Sequence, residues 1–513
     1  MATALPNIRT LHRLRQPGAF EKLFSERVKQ DSSKKIVIDY SSPNIAKQFH
    51  IGNLRSTLLG SYIDRVHRLT GNDVTSINYL GDWGTQFAII ATYWPTMKPS
   101  DAYWTSLSDI EKIKSLTDCY VVAYKQMNVD AEFRRAVHAT FQKMEWAIVQ
   151  NQMDCEEIHL WNEIRRLSEN HLNKFYNIFG VKFDHWIYES EQVKRAHSTV
   201  EELIDKKMLE VYDNRHILRL DTSEAENPNI DDVKYAILRK SNKTSLYLTR
   251  QLSEEIAAIL ARHEAFEADR YLYVVDKSQR QHFQSLKIVL EKMGKSDLAD
   301  KIEHVPYGRV RGLSTRHGKT EAVGEIIKRG KELALEFMKS SKTFCLDPQV
   351  EKQISRQLSL STVIFNELKR AKNSEYEFSF KNAFNLNQNN AMSLQLKHTR
   401  LSSVEAKNEA LLPLLDSCQN FPEKDATRDV KRLFQQLEYL ETAIHDSATK
   451  LEPCQLTVHL VHIAHTVGKV ATHLRVKDQP EEIAVPRLLL LSATRNVLYE
   501  GMKLLGIPPV RSM

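Results

Sequence analysis

Between positions 36 and 63 the hydrophobic period of the chain changes across one short turn. Ile36-Val37-Ile38-Asp39-Tyr40 is an apolar run that reads as a buried parallel strand. Leu54, Leu58, Leu59, Tyr62 and Ile63 then recur at helical spacing. Pro43, Asn44, His50 and Gly52 therefore sit where a strand turns into a helix, which is where an open α/β sheet binds nucleotides. A helix N-terminus offers unsatisfied N–H groups and positive potential to phosphate. Gly52 lets a flat base lie against the backbone, and His50 can hydrogen-bond phosphate oxygens as charge develops on them. The fold class this predicts is α/β, a doubly wound parallel sheet.

A chain of 513 residues is long for one core, so two to four domains are expected. Apolar residues make up 42% and charged residues 27%, as in ordinary globular proteins. No uninterrupted apolar run of about 18 residues occurs, so no membrane span is expected. The five cysteines are scattered singly with no C-x-x-C pair, which points to a reducing compartment and away from structural zinc. A formal charge of +7 permits a polyanionic partner without demonstrating one.

Residues 35–345 read as a Rossmann-type domain, with an insertion at about 100–235, between halves that resume at Ser245–Arg250 and the strand Tyr271–Asp276. From 346 to 513 the pattern is almost continuously helical. Residues 1–34 form an N-terminal segment. Its start carries Arg9, Arg13 and Arg15, has no acidic residue before position 21, and repeats Leu5, Ile8, Leu11 and Leu14 on one face. That pattern reads as a mitochondrial transit peptide, and its rival is a simple N-terminal helix of the fold.

The string S-S-P-N-I-A-K-Q-F-H-I-G at 41–52 resembles the first signature of class I aminoacyl-tRNA synthetases, and in its extended form the arginyl-tRNA synthetases. The resemblance continues in order: Gly81-Asp82-Trp83-Gly84-Thr85-Gln86-Phe87, then Tyr247-Leu248-Thr249-Arg250, then Gln279 to His282, then Gly312-Leu313-Ser314-Thr315-Arg316-His317-Gly318-Lys319, and a helical C-terminus that fits an anticodon-binding domain. It implies an ATP-dependent arginine–tRNA ligase of mitochondrial type, with L-arginine, ATP and tRNA(Arg) as substrates, Mg²⁺ accompanying ATP, a matrix location and a monomeric state. The large N-terminal tRNA-elbow domain of many arginyl enzymes has no room ahead of the first strand.

Site residues follow from the same resemblance. His50, Gly52 and Asn53 would face the α-phosphate, and Ser314, Thr315, Arg316 and Lys319 the leaving pyrophosphate. Ser42, Pro43, Asn44, Asn53, Tyr247, Gln251, Gln279 and Asp39 would hold arginine. His282 would face ATP, and Arg400, in His398-Thr399-Arg400, tRNA phosphate. Asn53 replaces an expected histidine, Gln251 an expected aspartate and Leu396 an expected tyrosine. The loss at 251 removes a charge-assisted bond worth about 1.5–3 kcal/mol. Asp39 is one candidate to supply that carboxylate. Glu254 and Glu255, one turn on from Gln251, are another, although as helix carboxylates they read first as solvated surface. In Gly81–Phe87 the expectation is a packing turn around Trp83, with Gln86 as its polar contact. His459, His462 and His465 recur every third residue and drift around a helix, so they do not read as a metal site. The departures at 53 and 251 leave one alternative, a synthetase-like RNA-binding protein with weakened catalysis.

Overall fold

The computed structural model describes residues 7–28, 33–45, 49, 51–212, 215–220, 235–240, 247–311, 323–339, 347–377, 379 and 390–510. Its centre is a parallel five-stranded sheet in the order β3-β2-β1-β7-β8, made of β1 (Lys35–Asp39), β2 (Asp73–Leu80), β3 (His185–Tyr188), β7 (Arg270–Asp276) and β8 (Ile302–Tyr307). Ile36, Val37 and Ile38 are buried because helices cover both faces of the sheet, as a parallel sheet requires. The order reverses between β1 and β7, whose registers place Asp39 beside Tyr273. A crevice therefore opens beyond the carboxyl ends of those two strands.

The doubly wound expectation holds, with one correction. β3 lies inside the stretch read as a single insertion at about 100–235, yet it pairs with β2 in the main sheet, Ile77 opposite His185. Two separate excursions result. Helices from Thr85 to Phe179 lie between β2 and β3, and an antiparallel sheet of β4 (Glu210–Tyr212), β5 (Arg215–Arg219) and β6 (Tyr235–Lys240) lies between β3 and β7. The second half resumes with the helix Tyr247–Phe266.

The helix Ile51–Leu69 crosses the sheet with Leu54, Leu58, Tyr62 and Val66 buried. Its far end docks on the C-terminal helices: Tyr62 Oη lies 2.6 Å from Ser447 Oγ, and Arg65 Nε donates to the Leu504 carbonyl at 2.8 Å. Those helices include Ala391–Lys407, Pro453–His473 and Glu481–Leu505. The N-terminal helix Ile8–Arg15 packs along Glu481–Leu505 and buries Leu11 and Leu14. Asn496 donates to the carbonyls of Leu14 and Gln16 at 2.7 and 2.9 Å, tying the end of that helix to Glu481–Leu505. Among the described residues no helix is long and apolar enough to cross a membrane.

Candidate active site

At the end of β1 the backbone makes an unusual turn. Ser41 and Ser42 have φ of 69° and 41°, a left-handed conformation that costs non-glycine residues energy and gathers at functional sites. Their side chains hold it in place. Ser41 Oγ lies 2.7 Å from Thr57 Oγ1 and 2.8 Å from Tyr176 Oη, and its N–H donates to Ser56 Oγ at 3.0 Å. Ser42 Oγ donates to Asp39 at 2.5 Å and accepts the Tyr79 N–H at 3.0 Å. Asn44 bridges to Gly81 at the end of β2, and a Cβ on Gly81 would lie 2.0 Å from Asn44 Oδ1. Glycine there is a requirement of close approach rather than of turn geometry.

A cavity of about 320 Å³ occupies the crevice. Asp39, Ser42, Pro43, Asn44, Asn53, Gln279 and His282 of the expected set line it. Asn53 and Gly52 stand in the first turn of Ile51–Leu69, where the helix dipole favours an anion. His50 and the loop with Ser314, Thr315, Arg316 and Lys319 lie outside the described residues, as do the side chains of Tyr247 and Gln251, which stand in the first turns of Tyr247–Phe266. Arg400 is exposed on the helix Ala391–Lys407, far along the chain from this cavity.

The surface reading of Glu254 and Glu255 is overturned. Glu254 is 2% exposed, and both residues line the cavity. They read as surface because two adjacent glutamates on a helix usually are, but this helix turns them toward the crevice. Glu255 pairs with Nε2 of His282. Burial alone would depress the His282 pKa; the Glu255 carboxylate outweighs it and raises the imidazole above its ordinary value.

Asp39 already has a partner from the chain itself. Arg262, 3% exposed, meets it at 2.8 Å and donates to Tyr273 Oη at 3.1 Å, with its guanidinium over the Tyr79 ring at 4.7 Å. Burial pushes the Asp39 carboxyl up, and Arg262 pulls it back. Sequence reasoning passed over Arg262, since a lone arginine in a helix carries no signal of burial.

The wall carries five carboxylates, Asp39, Glu189, Glu254, Glu255 and Asp276, and among the described lining residues no lysine or arginine. Asp276 is held by Arg309 at 3.1 Å. Such a wall suits a cationic ligand at one end, with the Asn53 helix terminus for an anion at the other.

The turn at 81–87 packs as expected. Trp83 is buried edge-on against Trp161, whose Nε1 donates to the Asp82 carbonyl at 2.6 Å. Its polar anchor is Asp82 rather than Gln86, which only approaches the Gly81 carbonyl at 3.5 Å. Asp82 accepts from Ser190 N–H and Oγ at 2.9 and 2.7 Å, and burial pushes its carboxyl up to about 6. In the helical part, His398 is buried against the Val510 carbonyl at 2.9 Å. His459 turns inward to the Gln436 carbonyl at 2.8 Å, while His462 and His465 line a cleft of about 530 Å³ with Lys397, Arg432 and Lys469.

Comparison with known proteins gives concordant matches. The model for the catalytic domain of class I (R) tRNA synthetases matches residues 20–380, and the DALR anticodon binding domain matches 394–513. The chain is 31% identical over 97% of its length to a probable mitochondrial arginine–tRNA ligase of Mus musculus, covering 81% of that protein. It is 30% identical to the arginine–tRNA ligase of Encephalitozoon cuniculi, covering 94% of this chain and 80% of that one. Among solved structures, the arginyl-tRNA synthetase of Plasmodium falciparum superposes with a TM-score of 0.71 at 22% identity, over 98% of this chain and 83% of that chain. The Thermus thermophilus arginyl-tRNA synthetase gives 0.72 at 18%, over 96% and 86%. At those identities the structural likeness speaks for the fold.

Proposed function

The chain belongs to the class I arginyl-tRNA synthetases, and from that premise we propose that it is an arginine–tRNA ligase of the mitochondrial matrix, active as a monomer. The observation that carries the substrate reading is the acidic wall of the cavity, five carboxylates with no lysine or arginine among the described lining residues. The names of the mitochondrial relatives and the Arg-rich start support the location.

The reaction has two displacements. The arginine carboxylate attacks the α-phosphate of ATP, giving arginyl-adenylate and pyrophosphate. A terminal ribose hydroxyl of tRNA(Arg) then attacks the acyl carbon and AMP leaves. Neither step needs a protein nucleophile, so positioning and electrostatics carry the catalysis. Magnesium would arrive with the triphosphate and offset its charge near so acidic a wall. His50, Gly52 and Asn53 face the α-phosphate at the helix terminus. Ser314, Thr315, Arg316 and Lys319 clamp the departing pyrophosphate. Ser42, Pro43, Asn44, Tyr247, Gln251 and Gln279 hold the amino acid, and His282 faces ATP. Arg400 and the basic cleft of the helical domain offer charge to the tRNA backbone. No finding favours the weakened RNA-binding alternative.

Charging of mitochondrial tRNA by the full chain, with labelled arginine against a panel of other amino acids, tests the reading. Arginine-selective, ATP-dependent charging that falls about 100-fold or more in His50→Ala is expected. Retained tRNA binding with no charging of any amino acid would overturn it.

A further inference from the structure

Gln251 leaves the substrate guanidinium without the carboxylate that the resemblance places at that position. We propose that Glu255, one helical turn further along Tyr247–Phe266, is the residue that recognises the guanidinium in this chain; the proposal rests on the arginine reading above. A guanidinium moved out of water into a cavity needs a carboxylate partner, because an unpaired buried charge is strongly disfavoured. Two of the five wall carboxylates are committed to permanent cations. Asp39 is held by Arg262 at 2.8 Å and by Ser42 at 2.5 Å, and Asp276 by Arg309. Glu255 pairs instead with His282, itself a wall residue and a base that can give up its proton. An incoming guanidinium can therefore take over this carboxylate without stranding a permanent cation.

Helix geometry makes the shift by one turn workable. Positions 251 and 255 are four apart and share a face, about 6 Å along the axis. Position 262 is seven residues beyond 255 and returns to the same stripe. One stripe thus carries Arg262, which neutralises Asp39 at the base of the site, and Glu255, which presents a carboxylate to the cavity. Around the helix Glu254 lies about 60° from position 251 and Glu255 about 40°, on opposite sides, and of the two it is Glu255 that pairs with the wall residue His282; Glu189 belongs to the short turn Glu189–Gln192 after β3 on another element. Phe283, buried beside the cavity and packed against Tyr273 and His304, fixes the start of the helix that bears His282.

The test compares Glu255→Gln and Glu255→Asp with the unaltered full chain, reading arginine KM, ATP KM and kcat, with citrulline as the uncharged analogue of arginine. Glu255→Gln should raise arginine KM by about 10–100-fold, hold ATP KM within about twofold and narrow the preference for arginine over citrulline. An unchanged arginine KM in Glu255→Gln would overturn the assignment. So would an equal rise in ATP KM, which would make Glu255 only an orienter of His282. If Glu255→Gln does not fold, Glu255→Asp decides, since it keeps the charge and shortens the reach: a rise confined to arginine KM supports the proposal and no rise overturns it. A wild-type chain that charges another amino acid would instead sink the arginine reading, and would do so before any variant is compared.

Discussion

Asp39 and Arg262 meet under the cavity as a pair of opposite charges that water scarcely reaches. Such a pair contributes little net stability, but removing one member strands the other. Arg262→Met should cost about 3–5 kcal/mol at neutral pH. The direction with pH follows from the carboxyl. Burial raises the Asp39 pKa, and without its partner the folded state favours the protonated acid still more. The folded protein then binds more protons than the unfolded one, so stability is greatest in acid and is lost as pH rises above the unfolded carboxyl value. Unfolding by urea at pH 5 and pH 8 checks this: the deficit of Arg262→Met should be larger at pH 8, and an equal deficit at both would count against a stranded carboxylate. At this scale legibility depended on how local the chemistry is. Ser42, Pro43, Asn44 and Asn53 were readable because the turn that gathers them is contiguous. Arg262 was not, and Glu255 was legible only as one candidate beside Glu254 and Asp39, because their meaning comes from Asp39 and His282, which are distant in sequence.

The clamp between Asp82 and Ser190 ties the end of β2 to the turn that follows β3. It therefore holds the edge strand of the sheet beside the cavity wall that carries Glu189. Two hydrogen bonds and Arg165 at 3.6 Å favour the carboxylate, yet burial prevails and lifts the group from an ordinary 3.8 to about 6. The sign again follows from proton binding: the folded state holds the proton more tightly between about pH 4 and 6, so stability present below that window is lost as pH rises through it. The shift corresponds to about 3 kcal/mol across the window. Thermal unfolding of Asp82→Asn and wild type from pH 4 to 7.5 should show a difference that tilts toward the variant as pH rises; a pH-independent difference would mean that Asp82 stays ionised throughout. The same element explains the misread domain boundary. β3 has four residues and stands between a helical excursion and a small antiparallel sheet. Its membership of the main sheet is set by pairing with β2, which a run so short does not announce.

At the scale of the whole molecule, the two ends of the chain meet. Leu11 and Leu14 of the first helix are fully buried on Glu481–Leu505, His12 Nε2 lies 2.9 Å from the Cys418 carbonyl, and Asn496 closes the helix end. The same amphipathic face that reads as a targeting signal is here a packing face, since both uses ask for leucines on one side and arginines on the other. Helical period alone does not reveal the packing role; the partner helix, nearly 500 residues away, does. The last helix also receives Arg65 from Ile51–Leu69, whose first turn borders the cavity, so the N-terminal helix braces the element that positions Asn53. Leu14→Ala should therefore destabilise the full chain by about 2–4 kcal/mol, as a buried leucine does when its neighbours collapse only in part. Asn496→Ala should cost about 1–3 kcal/mol by leaving one buried and one half-buried carbonyl without their donor. Both are read by thermal unfolding and by arginine charging at a temperature well below the transition. If the helix is a brace, Leu14→Ala lowers the unfolding temperature, and charging follows the folded fraction with arginine KM unchanged. An unfolding temperature indistinguishable from wild type would mean that residues 8–15 are dispensable to the folded enzyme.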